Sequence, residues 1–511
     1  MDLQFTIYDL RFEAKFVFSI LLFFICGIGF TQSISKGDKL MGDYKYAQAI
    51  TEYKPFADQG NDKAIRAIAE CYRKINDWEN AEKYYALLVK MNNIIPKYFL
   101  YYGQSLLSNG KYDEAKSWLK KFIDSKPEDQ NIVALAKTLL ESCDKAKESI
   151  TPKRNIAYKN LEELNSAASD FCAIPIGNDI YFSSAREGKT DAWTGTGFLQ
   201  VYLAEWQADS TYVIEPLKGV INSKYYNSGP ATIDALGKNI YFTKNNFQYG
   251  EAVINKKGDV TLKIFGAKLN KNETHDIHEL EFNDVEYSCA YPSINKEGDK
   301  IYYTSDRAGG YGGKDIYYST FTGGKWSKPK NAGNKINTAG DERFPFIAGD
   351  GTLYFSSNGW QGLGGLDIFK SSLNKLGEYQ TPENLGIPIN SSKDDFGFYL
   401  DENYSHGFFS SDRAGGKGLD DIYSFEYLDV TMQLNIYGNG SLVNGATVTI
   451  EEPGLEPVFL SADKGQLSLV LNTNSAYSLE ISKEGFVPNK ISINTANDHK
   501  PIVKNITLVP N

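Results

Sequence analysis

A short aromatic strand that recurs through the middle of the chain most constrains its fold. Each copy has large apolar residues followed by small or polar ones, a composition that suits a half-buried β-strand. The copies are IYFSS (180–184), IYFTK (240–244), IYYTS (301–305), LYFSS (353–357) and GFFSS (407–411). Their starts are 60, 61, 52 and 54 residues apart. A β-unit repeated at this interval is typical of the blades of a β-propeller.

Each aromatic strand has neighbours that predict further strands of the same blade. An apolar segment precedes it, and several copies are followed by a strand that begins with Asp-Ile. A fourth segment, of the type NLGIPINS, recurs at 160–166, 216–223, 279–285, 331–338 and 384–391. The first of these precedes the first blade, so we expect it to complete the last blade and close the ring, which removes sheet edges. The sequence predicts five blades over residues 155–428, and the poorly patterned segments 186–215 and 245–278 leave six blades open.

A glycine-rich, charged segment lies between the second and third strands of four blades. Its copies are SSAREGKTDAW, TSDRAGGYGGKDIYY, SSNGWQGLGGLDIFK and SSDRAGGKGLDDIYS. Alone, such a segment could be a phosphate cradle, a metal loop or a lid. Because a catalytic loop is normally unique and this one recurs, we interpret it as a structural hairpin whose glycines supply positive φ. The residues assigned to it are Asp306, Arg307, Asp315, Asp367, Asp412, Arg413 and Asp421.

The side chains of this hairpin have predicted structural roles. Asp306 and Asp412 are expected to accept hydrogen bonds from backbone N–H groups of the turn. Arg186, Arg307 and Arg413 are expected to pair with carboxylates of their own or a neighbouring blade.

A second repeat, with a period of 34 residues, precedes the β-region. Tyr44, Trp78 and Tyr112 are 34 residues apart, and three alanines at 47, 81 and 115 keep the same interval. This helix–turn–helix period is the signature of tetratricopeptide repeats. The sequence therefore predicts an α-solenoid over 37–150, with 131–143 as a capping helix. The concave face of such an array usually holds a partner segment.

The last region, 430–511, alternates apolar and polar residues between Gly/Asn turns. This pattern predicts a small β-sandwich. The pieces NGATVTI, SADKGQLSLVL and YSLEISKEGFVP resemble the carboxypeptidase-regulatory-like, transthyretin-like domain. The resemblance implies a non-catalytic module without zinc ligands.

The N-terminus predicts export. Arg11 and Lys15 precede a fifteen-residue apolar run, 16–30, which suits a signal peptide and is short for a membrane span. We assign residues 1–33 to this signal, with a lipid on Cys26 or an uncleaved anchor as alternatives. The net charge of −10 argues against nucleic-acid binding, which needs a clustered basic face. The four cysteines that remain after cleavage show no metal or disulfide spacing.

The best candidate ligand site is the propeller axis, because the first strand of each blade lines the central channel. The residues placed there are Asp170, Tyr226, Glu286, Tyr287, Glu342, Arg343 and Asp395. Converging acids could bind a cation or a basic peptide loop, and an ordinary water-filled channel is the alternative. We expect no cofactor and no metal, since the lone His275-x-x-His278 pair lies in a polar segment.

The order of these regions resembles a known family. It is similar to the periplasmic, outer-membrane-associated OmpA-family proteins of the PorE type, which belong to the type IX secretion system; the hairpins also resemble those of TolB-type propellers. The resemblance covers nearly all of the chain after residue 33. The family usually ends in a peptidoglycan-binding OmpA-like domain, whereas this sequence ends after the sandwich at Asn511. Peptidoglycan binding by this chain is therefore not expected.

This combination predicts a non-enzymatic periplasmic scaffold that docks other envelope proteins. No nucleophile, zinc-protease or P-loop motif is found in the sequence, and we expect no enzyme. The alternative is a propeller-based binding or sensor protein for a small ligand, glycan or metal.

Overall fold

The computed structural model describes residues 34–92, 94–148, 155–248, 251–453, 456–495 and 500–511. The predicted signal peptide, with Cys26, lies outside them. Two compact units are present: one groups the chain up to Asp144 with Glu187–Phe198, and the other contains Lys145–Arg186 and Leu199–Asn511. No helix within the described ranges is long and apolar enough to cross a membrane.

Helices form the N-terminal region, as predicted. They span 34–42, Tyr46–Ala57, Asp62–Lys74, Trp78–Leu88, Lys97–Ser108, Tyr112–Asp124 and Gln130–Glu148. Successive helices pack on one another, and the repeated alanines Ala81 and Ala115 are fully buried. A Cβ on Gly103 would lie 2.8 Å from Leu119, so two neighbouring helices approach closely at this glycine. Two of the three alanines with the 34-residue spacing are thus buried among the helices, and Ala47 instead contacts the segment Glu187–Phe198.

The segment Glu187–Phe198 differs from the other recurring hairpins because it groups with the helices. The Trp193 ring stacks on Tyr44 at a centroid distance of 6.1 Å and meets Tyr46 edge-on at 4.9 Å. The backbone N–H of Ala47 donates to the Trp193 carbonyl at 3.2 Å. The prediction that SSAREGKTDAW forms the same hairpin as its three siblings is therefore wrong for its second half.

Five sheets follow within residues 155–428, numbered here by the order of their innermost strands. Sheet 1 contains Asp170–Ile176, Asp179–Ser184, Gln200–Trp206 and Tyr212–Pro216. Sheet 2 contains Ser228–Ile233, Asn239–Asn245, Leu262–Asn270, Glu273–Glu279 and Lys218–Gly219. Sheet 3 contains Cys289–Ile294, Lys300–Ser305, Asp315–Thr322, Lys325–Trp326 and Lys330–Asn331. Sheet 4 contains Glu342–Ile347, Leu353–Ser357, Asp367–Ser371 and Glu383–Asn384. Sheet 5 contains Asp395–Leu400, His406–Ser411, Asp421–Tyr427 and Ile156–Asn160. A two-stranded sheet, Phe247–Gln248 with Glu251–Ala252, lies beside them in sequence.

The innermost strands of the five sheets contact one another in the order 1–2–3–4–5–1. Sheet 5 is completed by Ile156–Asn160, which pairs antiparallel with Asp421–Tyr427. The chain therefore folds into a helical region followed by a propeller-like β-structure.

The predicted fourth strands are wrong in their bounds. Apart from Lys218–Gly219, the last residue of each observed outer strand is the first residue of the predicted segment. The remainder places an asparagine whose side-chain amide both donates to and accepts from one backbone residue of the third strand, at 2.7–3.0 Å. The five pairs are Asn165–Ile422, Asn222–Val201, Asn283–Ile264, Asn337–Ile316 and Asn390–Ile368. The side-chain amide thus makes the two hydrogen bonds that the backbone of a neighbouring strand would make. The segment was therefore predicted as a strand.

The C-terminal residues form two sheets. One contains Asp429–Gly438, Ser441–Leu442, Gln466–Asn472, Phe486–Val487 and Ile502–Pro510; the other contains Ala446–Glu451, Val458–Ala462, Ala476–Ser482 and Asn489–Asn494. Alternate residues of both, such as Leu434 and Leu479, are fully buried in one shared core. The alternation in the sequence thus corresponds to one buried and one solvated face per sheet.

Candidate functional site

Three buried aspartates hold the recurring hairpins closed. Asp315, Asp367 and Asp421 begin the third strands of sheets 3, 4 and 5, and each is 1% exposed. The Asp315 carboxylate accepts from the N–H groups of Tyr311 at 2.7 Å and Gly312 at 3.1 Å. The other two carboxylates accept from the corresponding N–H groups of their own hairpins. The charges of the motif are therefore used within the turn.

The glycines of the motif make room for these contacts. A Cβ on Gly310 or Gly416 would lie 2.3 Å from the carboxylate oxygen of the aspartate in the same hairpin. A Cβ on Gly364 would lie 2.1 Å from the backbone of Ser392, which precedes the innermost strand of the next sheet. A side chain at Gly364 would displace the hairpin, and one at Gly310 or Gly416 would displace the carboxylate that closes it.

Each of these hairpins also bonds to the next sheet through its backbone. The N–H of Glu342 donates to the carbonyl of Lys314 at 2.7 Å, which joins sheet 4 to the hairpin of sheet 3. The N–H of Asp170 donates to the carbonyl of Asp420 at 2.8 Å, which joins sheet 1 to the hairpin of sheet 5. The charged, glycine-rich motif is thus a connector between neighbouring sheets.

Asp306 and Asp412 do not bond to the turn, contrary to prediction. Their carboxylates accept from the backbone N–H groups of Ser288 and Asp394, each at 2.7 Å. These residues precede the innermost strands of the same sheets, so the aspartates fix where those strands begin.

The innermost acids of two sheets are paired with arginines of the hairpin. Arg186 donates to Asp170 and Arg413 to Asp395, both at 2.6 Å, and both aspartates are fully buried. Burial nevertheless raises the pKa of Asp395, against the opposing effect of Arg413. These two predicted channel residues are buried inside their own sheets.

The other two sheets with this hairpin each lack one member of the arginine–carboxylate pair. Sheet 3 lacks the acid and sheet 4 lacks the arginine. In sheet 3 a cysteine, Cys289, stands opposite Arg307 at 4.0 Å from its guanidinium, and Arg307 donates to the Phe282 carbonyl at 3.1 Å instead. In sheet 4 the acid is present as Glu342, but Gly359 stands where the arginine would be.

Glu342 therefore lies fully buried without a cation. It accepts from the N–H and hydroxyl of Thr338 at 2.9 and 2.6 Å, and from the Ser357 hydroxyl at 2.8 Å. Burial raises the pKa of its carboxyl to about 7, although these hydrogen bonds favour the charged form. This carboxyl titrates near neutral pH.

The remaining predicted channel residues have partners outside the predicted set. Tyr226 stacks on Phe247 at 5.3 Å, and the carboxylate of Glu286 lies 3.6 Å from the ammonium of Lys256. Tyr287 lies under the Arg307 guanidinium at 5.6 Å. Arg343 forms an ion pair with Asp341. These contacts give each of the residues a separate partner.

A group of acids at the start of sheet 5 has shifted protonation. Burial and the nearby Asp394 and Asp420 carboxylates raise the pKa of Asp412 to about 9. Burial also raises the pKa of Asp420 to about 6. Within the described ranges, no group of three or more His, Cys, Asp or Glu side chains is arranged to hold a metal ion.

A cavity of about 120 Å³ lies where the five innermost strands meet. All five strands contribute to its lining, each with residues around a register shift. None of the seven predicted channel residues is among those lining it. The cavity is lined by Cys172, Ala173, Ile174, Pro230, Ala231, Thr232, Ile233, Tyr291, Pro292, Ser293, Ile294, Phe344, Pro345, Phe346, Gly397, Phe398 and Tyr399. The predicted residues lie near the start of each innermost strand, at most one residue after its first residue, whereas the lining begins two residues after that first residue.

No protein-family model matches the chain, and no curated protein sequence matches it. Among solved structures, it is similar to hydrazine synthase of Kuenenia stuttgartiensis (11% identity, TM-score 0.32, 67% of this chain and 63% of that one). It is similar to a putative TolB from Agrobacterium tumefaciens (11%, 0.32, 68% and 92%). It is also similar to the β-xylosidase/α-arabinofuranosidase CoXyl43 from a compost microbial metagenome (10%, 0.34, 55% and 96%). This chain thus spans less than two thirds of the hydrazine synthase chain.

These comparisons correct one prediction. The prediction that the chain is not an enzyme, made from the absence of catalytic motifs, is contradicted by these comparisons, since the similar structures include a glycosidase and a synthase. At these identities and TM-scores the similarity assigns no activity to this chain.

Proposed function

We propose that the chain is a periplasmic adaptor that docks other cell-envelope proteins in an outer-membrane-associated complex, such as the type IX secretion machinery. In this proposal the helices are tetratricopeptide repeats, the five sheets are the blades of a closed propeller, and the C-terminal sheets are a carboxypeptidase-regulatory-like sandwich.

The hydrogen bonds made by the polar groups of the hairpins are the main support for this proposal. Their carboxylates accept hydrogen bonds from N–H groups of their own sheets, and their backbone carbonyls accept from the next sheet, so these loops serve rigidity. A rigid β-structure joined to helical repeats suits a protein whose partners bind to its surfaces.

One helix face has the chemistry of a docking surface. Arg66, Glu70 and Arg73 lie on one side of Asp62–Lys74 at helical spacing, and all three are partly exposed. The Arg73 guanidinium bonds to Glu70 at 2.7 Å and lies 4.2 Å over the Tyr101 ring. Arginine and tyrosine are enriched among residues that dominate binding energy at interfaces.

The test is affinity capture of the full chain from gently solubilised envelopes. We expect envelope proteins to co-purify with the unaltered chain and with the Lys74→Ala control, an exposed residue of the same helix. The double variant Arg73→Ala/Tyr101→Ala should lose them while keeping its helical circular dichroism. Recovery of the unaltered chain as a lone monomer from the envelope fraction would contradict the proposal.

A further inference from the structure

We propose that the cavity among the five innermost strands binds a single neutral aromatic ring. This site is independent of the docking function proposed above.

The cavity arises from unequal side chains at one repeated position. Each innermost strand has a residue with positive φ at its register shift, between 50° and 109°. In order around the ring these residues are Cys172, Gly229, Tyr291, Phe344 and Gly397. Three small residues are consecutive, and the two aromatic ones are adjacent. The repeated backbone shape therefore gives one side of the axis an aromatic wall and the other side small residues, where the Cys172 sulfur packs against Gly397.

The aromatic wall is well defined. The rings of Tyr291 and Phe344 stack at a centroid distance of 4.2 Å, and Phe344 packs against Phe396 at 4.7 Å. Aromatic pairs of this kind favour a further ring in an offset or edge-on position.

The next layer along the axis also combines small and large side chains, in a different arrangement. Two residues beyond the positive-φ position, the strands carry Ile174, Ala231, Ser293, Phe346 and Tyr399. Ala231 and Ser293 are small where the other sheets have large side chains.

Two hydroxyl groups of the lining already accept hydrogen bonds. The hydroxyl of Thr232 accepts from the N–H of Ile294 at 3.3 Å, and that of Ser293 accepts from the N–H of Ile347 at 3.1 Å. No charged side chain is among the lining residues. A ligand would therefore be held by shape and dispersion, which favours a neutral apolar group.

The size fits one ring. An apolar protein cavity of about 150 Å³ binds benzene, and this one measures about 120 Å³. The ring could belong to a free small molecule or to a tyrosine or phenylalanine side chain of a partner.

Cys172 provides the readout. It lines the cavity, whereas Cys71, Cys143 and Cys289 are buried elsewhere. Burial raises the pKa of the Cys172 thiol, so its modification is slow and the reagent is used in large excess. The full chain is treated with methyl methanethiosulfonate, and modification of Cys172 is followed by peptide mass spectrometry with and without p-cresol. At about ten times its Kd, p-cresol should slow this modification about tenfold. Benzoate should give no protection, because no lining cation would pair with it.

Two variants make the test specific. Ala231→Phe places in sheet 2 the kind of ring that Phe346 and Tyr399 supply in sheets 4 and 5, and it should abolish protection by p-cresol. Ala308→Phe adds the same side chain at an exposed hairpin position and should leave protection unchanged. If Ala231→Phe lowers the folded fraction, Ala231→Leu serves in its place, with the same expected result.

The outcomes separate the sources of the ring and decide the proposal. Protection by p-cresol alone identifies a free molecule, and stronger protection by N-acetyl-tyrosine amide identifies a partner side chain. Absence of protection by either compound up to its solubility limit overturns the proposal. So does equal protection by benzoate, or protection that persists in the cavity-filling variant.

Discussion

Arg413 donates to the fully buried carboxylate of Asp395 at 2.6 Å, and Arg307, its counterpart in sheet 3, faces the thiol of Cys289 instead. The same arginine position thus serves two different partners in one fold. This internal difference allows the contribution of the ion pair to be separated from that of the arginine itself.

We expect Arg413→Ala to lower the free energy of unfolding by about 3–5 kcal/mol, because it leaves a buried carboxylate without its cation. Arg307→Ala should cost only about 1–2 kcal/mol, since it removes a hydrogen bond to the Phe282 carbonyl and a partly exposed ion pair with Asp284. Chemical denaturation of the full chain, followed by tryptophan fluorescence, measures both. Equal losses for the two variants would show that the carboxylate is not what makes Arg413 important.

Glu342 should make stability depend on pH. Its carboxyl pKa is about 7 in the folded chain and 4.5 ordinarily, so between these values the folded state binds the proton more tightly than the unfolded state does. The contribution of Glu342 to stability is therefore greatest below about pH 4.5, decreases as pH rises and levels off above about pH 7. The full change is about 3 kcal/mol.

Glu342→Gln should remove this part of the pH dependence. Denaturation midpoints measured across the interval should then vary less with pH than in the unaltered chain. Glu297→Gln, at an exposed site, should leave the dependence unchanged. A variant curve parallel to the unaltered one would mean that Glu342 titrates normally.

Gly364→Ala should destabilise the contact between sheets 4 and 5. The added Cβ would meet the Ser392 backbone, which cannot rotate away, and we expect a loss of about 1–3 kcal/mol. Gly349→Ala is the control, because its Cβ would have an ordinary contact of 3.9 Å with Lys296. Thermal unfolding compares the two variants, and similar melting temperatures would contradict the connector role of the hairpin.

Asn390→Ala should remove two hydrogen bonds to the backbone of Ile368, both at 2.8 Å. The buried N–H and carbonyl would be left without these partners, which costs about 2–4 kcal/mol. Asn505→Ala, at an exposed position, should change stability by less than about 0.5 kcal/mol. Denaturant unfolding distinguishes the two, and a small effect at Asn390 would mean that the outer segment holds its place without this amide.

The sequence predicted the features that depend on local periodicity. The aromatic strands, the helical region and the alternating C-terminal strands follow from the spacing of apolar and polar residues, which depends on which side chains are buried. The sequence also predicted that an N-terminal strand completes sheet 5. The first outer segment precedes the first blade, and the last blade has no outer segment after it.

The predicted fourth strands were wrong because single side chains make hydrogen bonds that backbone groups usually make. Asn337 and Asn390 pair with a strand as another strand would, so their segments have a strand-like pattern without being strands. The cavity lining was missed for a different reason. Positive φ at residues such as Tyr291 and Phe344 shifts the strand register, and nothing in local composition predicts it for aromatic residues.

The completion of sheet 5 has a consequence for synthesis. Asn160 bonds to Asp421 at 2.9 Å across 261 residues of sequence. The ribosome produces the first partner and must add the whole intervening β-structure before the second emerges, which at typical elongation rates takes on the order of tens of seconds. During that time Ile156–Asn160 is without its partner strand. Such long-range pairing slows folding, and a nascent chain of this kind benefits from a chaperone that covers the waiting strand.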